Sequence, residues 1–161
     1  MTNIRIGHGW DRHKLAANRI LVLGGYTIES ALGPVAHSDG DVLIHAIIDA
    51  LLGAVGLRDI GYYFPPSDPR YKNISSLELL KEVLIKVTEK QFSIINIDST
   101  VILETPKLSP HIPHIQSSLA NACNLLPEFI SVKAKSGEGI DGTGRGIAIE
   151  AHAVVLVKKL S

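Results

Sequence analysis

His37-Ser38-Asp39-Gly40-Asp41-Val42-Leu43-Ile44-His45-Ala46-Ile47-Ile48-Asp49-Ala50-Leu51-Leu52-Gly53-Ala54-Val55 is the stretch on which a reading of this chain turns. Its opening, Ser38 to Asp41, has the S-x-x-D form of a helix-start capping box. Apolar residues then recur at 42, 46, 47, 50, 51 and 54, the spacing of a helix, and predict a buried helix over about 39–55. Working outward, Ile4 to Asp11 alternates as a strand does, and Ile20 to Ile28 reads as a hairpin turning at Gly24-Gly25. Gly56 to Asn73, rich in proline and tyrosine, reads as a long loop. A second capping box at Ser75 and Glu78 opens a helix over about 75–90, with leucines on one face and lysines on the other. A strand over 94–103, a helix over about 112–124, and strands over 130–134 and 147–157 complete the series. The order predicts an α/β (α+β) sandwich: one domain, residues 1–161, with a mixed β-sheet and helices packed on one face.

Composition narrows the function. The 161 residues are 45% apolar, enough for one core without disulfides, and the single Cys123 can form no intrachain bridge. Sixteen basic residues balance sixteen acidic ones. Binding through a nucleic-acid backbone calls for a basic surplus, so no nucleic-acid partner is expected. There is no apolar run long enough to span a membrane and no leader pattern after Met1, so a cytoplasmic, bacterial setting is the expectation. A polyanionic ligand would need its charge met by metal ions or backbone amides.

Four groups of residues can carry chemistry. Asp11 and His13, two apart on an extended segment, aim at one side and offer carboxylate and imidazole to a zinc-type ion. His45, two turns into the predicted helix, is either a core histidine bonded to Asp49 or a third ligand; the two roles are compatible, because a metal-bound histidine hands its other N–H to a partner. Three protein ligands leave a fourth position open. The stretch from Arg58 to Pro69 suits a lid or polyol pocket, or an ordinary surface connection. Lys133 to Gly139 and Gly142 to Gly146 intersperse lysine, hydroxyl, carboxylate and arginine among glycines, which suits phosphate, and Glu138 could hold magnesium. His8 can support the Asp-x-His pair; His111 and His114 read as solvated, and His152 as packed.

In this order, Arg5 to Asp11 with His13, Ala36 to Val42, His45, Asp59-Ile60-Gly61, Phe64-Pro65, Asp68-Pro69, Pro106-Lys107, Pro110 to Pro113 and Thr143 to Gly146 resemble the 2-C-methyl-D-erythritol 2,4-cyclodiphosphate synthase family. The resemblance implies a homotrimer with sites between subunits. It also implies cyclisation of 4-diphosphocytidyl-2-C-methyl-D-erythritol 2-phosphate with release of CMP. It puts Zn2+ or a similar ion on Asp11, His13 and His45, and Mg2+ or Mn2+ between Glu138 and the substrate phosphates. His37 and Ser136 become the residues that stabilise charge at the transferring phosphorus. Substrate contacts fall on Asp11, Arg12, His13, His37, Ser38, Asp59, Ile60, Gly61, Phe64 and Asp68, and cytidine-side contacts on Thr105, Pro106, Lys107, Lys135, Ser136, Gly137, Glu138, Gly142 and Arg145. Two stretches depart from the pattern. Lys135-Ser136-Gly137 stands where threonines are common, and Ile140-Asp141-Gly142 replaces a leucine-glycine-phenylalanine run, which removes an aromatic contact to the nucleotide. A zinc-dependent phosphoesterase and a trimeric nucleotide-binding regulator are the rival readings.

Overall fold

The computed structural model describes residues 3–160. Met1 and Thr2, on which part of the leader reading falls, lie outside the described residues. In chain order the elements are β1 (Ile4–Ala17), β2 (Leu21–Leu23), β3 (Tyr26–Ile28), β4 (Leu32–Pro34), α1 (Val42–Ala54), α2 (Ile60–Tyr63), α3 (Ser76–Glu89), β5 (Phe92–Ile102), α4 (Ile112–Cys123), β6 (Ile130–Lys135), α5 (Asp141–Gly144) and β7 (Ala148–Lys159). Five strands form a mixed sheet in the order β4-β1-β7-β5-β6, and β2 pairs with β3 in a separate hairpin. All neighbours in the sheet are antiparallel except β5 and β6, whose parallel pairing needs the crossover through α4.

Alternation along β1 sorts its side chains. Gly7, Gly9 and Leu15 are buried on the helix side, with Asp11 and His13 half-buried between them; His8, Trp10 and Arg12 take the opposite face. On β7, Ile149, Ala151, Ala153, Val155 and Val157 are buried. Helix α1 lies against both strands and is apolar nearly all round, as a helix enclosed on every side must be.

The predicted architecture holds, and several boundaries move. Strand β1 continues to Ala17, beyond the Ile4–Asp11 reading, because its second half pairs with both β7 and β4. Helix α1 starts at Val42 rather than near 39. Gly40 has φ +75°, outside helical backbone, and the Asp41 side chain accepts from the Ile44 amide at 3.0 Å, so Asp41 and not Ser38 is the cap. Asp41 is fully buried and also accepts from the Gly25 amide at 2.7 Å, tying the hairpin to α1; burial pushes its carboxyl up to about 6. The stretch read as a loop contains the single turn α2. The short β4 and α5 have too little sequence for any periodicity to reveal.

The tightest packing in the fold is between β1 and α1. A Cβ at Gly9 would sit 1.9 Å from the Ala46 carbonyl oxygen, and one at Gly7 would sit 1.8 Å from that of Ala50. Both obstacles are backbone, so only movement of the whole helix could relieve them. Gly9→Ala is expected to cost about 3 kcal/mol of stability, at the upper end for overpacking, as a lowered urea midpoint. Exposed Gly53, late in α1 with nothing near its would-be Cβ, is the control: Gly53→Ala should raise stability by about 0.5–1 kcal/mol.

Candidate metal centre

The close approach of α1 to β1 brings His45 against the second half of the strand. Oδ2 of Asp11 lies 3.0 Å from Nε2 of His13 and 2.9 Å from Nδ1 of His45, and the two imidazole nitrogens are 3.2 Å apart. The three donor atoms thus share one centre. Zinc–ligand bonds of about 2.0–2.1 Å in a tetrahedral site put donors about 3.3 Å apart, so a slight outward movement fits a divalent ion. Carboxylate plus two imidazoles is a donor set suited to zinc and its neighbours.

The electrostatics match a site that exchanges a proton for a cation. Burial alone would raise the Asp11 carboxyl, but hydrogen bonds and charge from His13 and His45 hold it well below its ordinary value. Burial opposes a charge on His45, yet the Asp11 carboxylate lifts its pKa above the usual value, helped by Asp41 and Asp39. His45 does not bond Asp49. Its Nε2 lies 2.9 Å from the Ser76 hydroxyl and 3.2 Å from that of Ser38, while Asp49 accepts from the Ile60 amide at 2.7 Å and anchors the start of α2.

A cavity of about 260 Å³ opens beside the three ligands. His37 and Ser38 line it on the polar side, and Ile60, Gly61 and Phe64 from the α2 region face them. His37 Nε2 lies 3.3 Å from the Asp68 carbonyl oxygen, whereas the Asp68 carboxylate turns outward to Arg70. Asp59 occupies the cap position of α2. Tyr71 and Leu79 also line the cavity, and Ser76 and Asp39 stand behind His45. Sequence reasoning missed all four of these roles. Ser76 gave a weak signal, a serine at a helix start directly after the capping Ser75.

Other expected residues sit elsewhere. Arg12 is on the opposite face of β1, ion-paired with Glu150, which also accepts from the Trp10 indole. His8 shares that face, its ring 5.8 Å from His152, so it does not support the Asp-x-His pair. His152 is paired with Glu150 rather than packed in the core. Thr105 and Pro106 line a separate hollow, with Lys107 following them in the same connection. Ser136 donates to Glu138 at 2.7 Å, and Gly137 gives its amide to Glu104 at 3.1 Å. Gly142 lies in α5, with Arg145 just beyond its end. Gly137 and Gly144 press backbone to backbone, which accounts for two of the loop glycines without a ligand. Lys135 shares a register row with Arg12 but is three strands away, about 14 Å at the usual strand spacing of about 4.8 Å.

The Asp11–His45 pair sets a pH dependence. A depressed carboxyl contributes stability above its unfolded value of 3.8 and loses it as pH falls through the folded value. A raised imidazole contributes below 6.5 and loses it as pH rises through the folded value. The urea midpoint of chelator-treated protein should therefore be highest between those two values and fall on the alkaline side. A saturating divalent ion, taking the place of the shared proton, should abolish the alkaline fall. A flat midpoint across pH in chelator-treated protein would count against the pairing, and a midpoint unmoved by the ion would count against the metal site.

Several known proteins are similar to this chain along nearly its whole length. A 2-C-methyl-D-erythritol 2,4-cyclodiphosphate synthase from Synechococcus sp. (strain JA-2-3B'a(2-13)) is 51% identical over 154 residues, which make up 96% of this chain and 98% of that protein. The solved structure of the bifunctional IspDF from Campylobacter jejuni superposes with a TM-score of 0.95 at 40% identity; it covers all of this chain, which spans 44% of that longer one. The CDP complex of IspF from Plasmodium falciparum superposes with a TM-score of 0.87 at 34% identity, over 100% of this chain and 99% of that one. The YgbB family's sequence model matches residues 4–158, nearly the whole chain and every residue of the metal centre, and the chain belongs to that family.

Proposed function

We infer that this chain is an enzyme converting 4-diphosphocytidyl-2-C-methyl-D-erythritol 2-phosphate into 2-C-methyl-D-erythritol 2,4-cyclodiphosphate and CMP, a step of isoprenoid precursor synthesis. The observation that carries this is the convergence of Asp11, His13 and His45 at the mouth of a cavity, in a chain about half identical to synthases of that name. An oxygen of the substrate's 2-phosphate attacks the β-phosphorus. The bond from that phosphorus to the oxygen bridging it to the α-phosphorus breaks, and the bridging oxygen leaves on CMP. The nucleophile is already part of the substrate, so the protein's task is positioning and charge neutralisation.

Asp11, His13 and His45 hold Zn2+ or a similar ion, and Glu138 a Mg2+ or Mn2+ ion. Bound there, the cations supply positive charge that offsets repulsion between phosphates brought together in the folded-back substrate. His37, on the cavity wall, and Ser136 donate hydrogen bonds to charge developing at the transferring phosphorus. Ser38, Asp59, Ile60, Gly61, Phe64 and Asp68 bound the methylerythritol moiety. Thr105 to Lys107, Lys135, Gly137, Gly142 and Arg145 form the cytidine side, and Arg12, on the face of β1 turned away from its own subunit's metal centre, would contact substrate held by a neighbouring subunit. The setting is the bacterial cytoplasm.

The active unit is a homotrimer with the site shared between subunits. Two features support this. None of the cytidine-side residues lines the cavity beside the metal centre of their own subunit, and Lys135 ends β6 at the far sheet edge. The sheet face without helices also exposes Ile4, Ile6 and Trp10, at 51%, 68% and 47%, an apolar row suited to burial against another copy.

Phosphorus NMR of the substrate incubated with protein and magnesium should show the cyclic diphosphate and CMP in equal amounts. An open-chain phosphate product would instead favour the phosphoesterase reading. His45→Ala should remain folded and lose at least about a thousandfold in turnover, the several kcal/mol that a bound cation contributes. Shared sites make a further prediction. Glu138→Gln and His45→Ala proteins are each nearly inactive. Unfolded together in equal amounts and refolded, they should recover about a quarter of wild-type activity, because a site drawing on two subunits can then be intact. No recovery in the mixture would place both residues in one subunit's site.

A further inference from the structure

His45 meets the proposed cation through Nδ1, and its other ring nitrogen faces inward. Behind it lies a short chain of polar groups that nothing in the phosphoryl transfer requires. Nε2 of His45 is 2.9 Å from the Ser76 hydroxyl oxygen. That hydroxyl donates in turn to Oδ1 of Asp39, at 2.5 Å, within the range of a hydrogen bond to a carboxylate. Oδ2 of the same carboxylate accepts from the Ser76 backbone amide at 2.8 Å. Ser76 is fully buried and His45 nearly so, and no buried side-chain polar atom among the described residues lacks a partner.

Proton direction follows from this arrangement. Asp39 as a carboxylate can only accept, so the one hydroxyl proton of Ser76 goes to it. What remains on the Ser76 oxygen is lone pairs, which can only accept from His45. Nε2 of His45 must then carry a proton, so that a cation replacing the proton shared between Nδ1 and Asp11 meets the Nδ1 lone pair. The Ser38 hydroxyl, 3.2 Å from the same Nε2, is a longer alternative acceptor. Backbone pairing holds the relay in place: Asp39 gives its amide to the Ile74 carbonyl at 3.0 Å, and Asn73 gives its own to His37 at 2.8 Å, so the segment before α1 is fastened to the start of α3.

We propose that Ser76 and Asp39 are a positioning pair that fixes His45 in the Nε2–H tautomer and so presents Nδ1 to the metal. The inference rests on the metal assignment above and adds the source of the ligand's orientation. Outer partners of this kind govern metal affinity by about 10- to 100-fold.

The test is zinc affinity, by competition with a chromogenic chelator, together with the tautomer of His45 read by long-range proton–nitrogen NMR of histidine-labelled, zinc-loaded protein. Wild type is expected to show the Nε2–H form. Ser76→Ala, checked for folding by circular dichroism, should bind zinc about 10- to 100-fold more weakly. Asp39→Asn keeps the side-chain size and should weaken binding in the same direction. The double variant should be little weaker than Ser76→Ala, because both changes break one relay. The wild-type tautomer, read also on zinc-free protein at alkaline pH where zinc cannot impose it, needs no variant and so tests the relay even where a substitution unfolds the chain. An Nδ1–H His45, or a Ser76→Ala protein with wild-type affinity, overturns the relay alone. Wild-type protein that takes up no zinc overturns the metal assignment and the relay with it.

Discussion

The centre of this molecule exists because a strand and a helix touch without side chains between them. Gly7 and Gly9 remove the Cβ atoms that would strike the carbonyls of Ala50 and Ala46, and the small alanines on α1 complete the fit. At ordinary strand–helix separation, His45 would stand back from β1 by the thickness of an intervening side chain. At this separation its ring reaches the carboxylate and imidazole that follow the two glycines on the same face of the strand. Strand period two supplies the sequence Gly7, Gly9, Asp11, His13 along one face, contact first and ligands after it. The packing and the chemistry are thus successive parts of one alternating pattern.

That constraint also explains the charge distribution. A chain with no net charge holds several carboxylates around α1: Asp11 in front of His45, Asp39 behind it, Asp41 at the cap and Asp49 one turn on. Each has a defined acceptor role. Asp41 joins the hairpin to the helix, Asp49 fixes α2 over the cavity, Asp39 takes the Ser76 proton, and Asp11 faces the centre itself. Negative charge gathered in one place favours a cation there, and burial strengthens that preference by excluding the water that would screen it.

Sequence alone revealed the long elements and the three residues that converge at the candidate metal centre, for physical reasons that can be named. Helix α1 was legible because its apolar spacing runs over three turns, and Asp11 with His13 because two residues on a strand share a face. The start of α1 was misread because Ser38 and Asp41 both look like caps; Gly40 in a left-handed conformation decides between them, and only the fold shows that. The partner of His45 was misread because Asp49 is near in sequence, whereas Ser76 is near only after α3 has packed. Alternation already puts Arg12 and Trp10 on the face opposite Asp11, but their partner Glu150 is known only once the register with β7 is. Local periodicity reports which residues an element turns inward; it does not report which inward-facing residues meet.

The same limit bears on the glycine-rich stretch after β6. Its composition suits phosphate, yet within the subunit Gly137 and Gly144 are needed for backbone contact, and the Ser136 and Glu138 side chains bond each other. Those contacts shape the loop within its own subunit, while the Lys135 and Arg145 side chains stay exposed. Charged groups left exposed in this way suit a surface completed by a neighbouring copy. The helix-free sheet face, with its exposed Ile4, Ile6 and Trp10, supplies the apolar area such an association would bury. One sheet thus has two different faces: its covered face meets α1 where Asp11, His13 and His45 converge, and its bare face carries exposed apolar side chains.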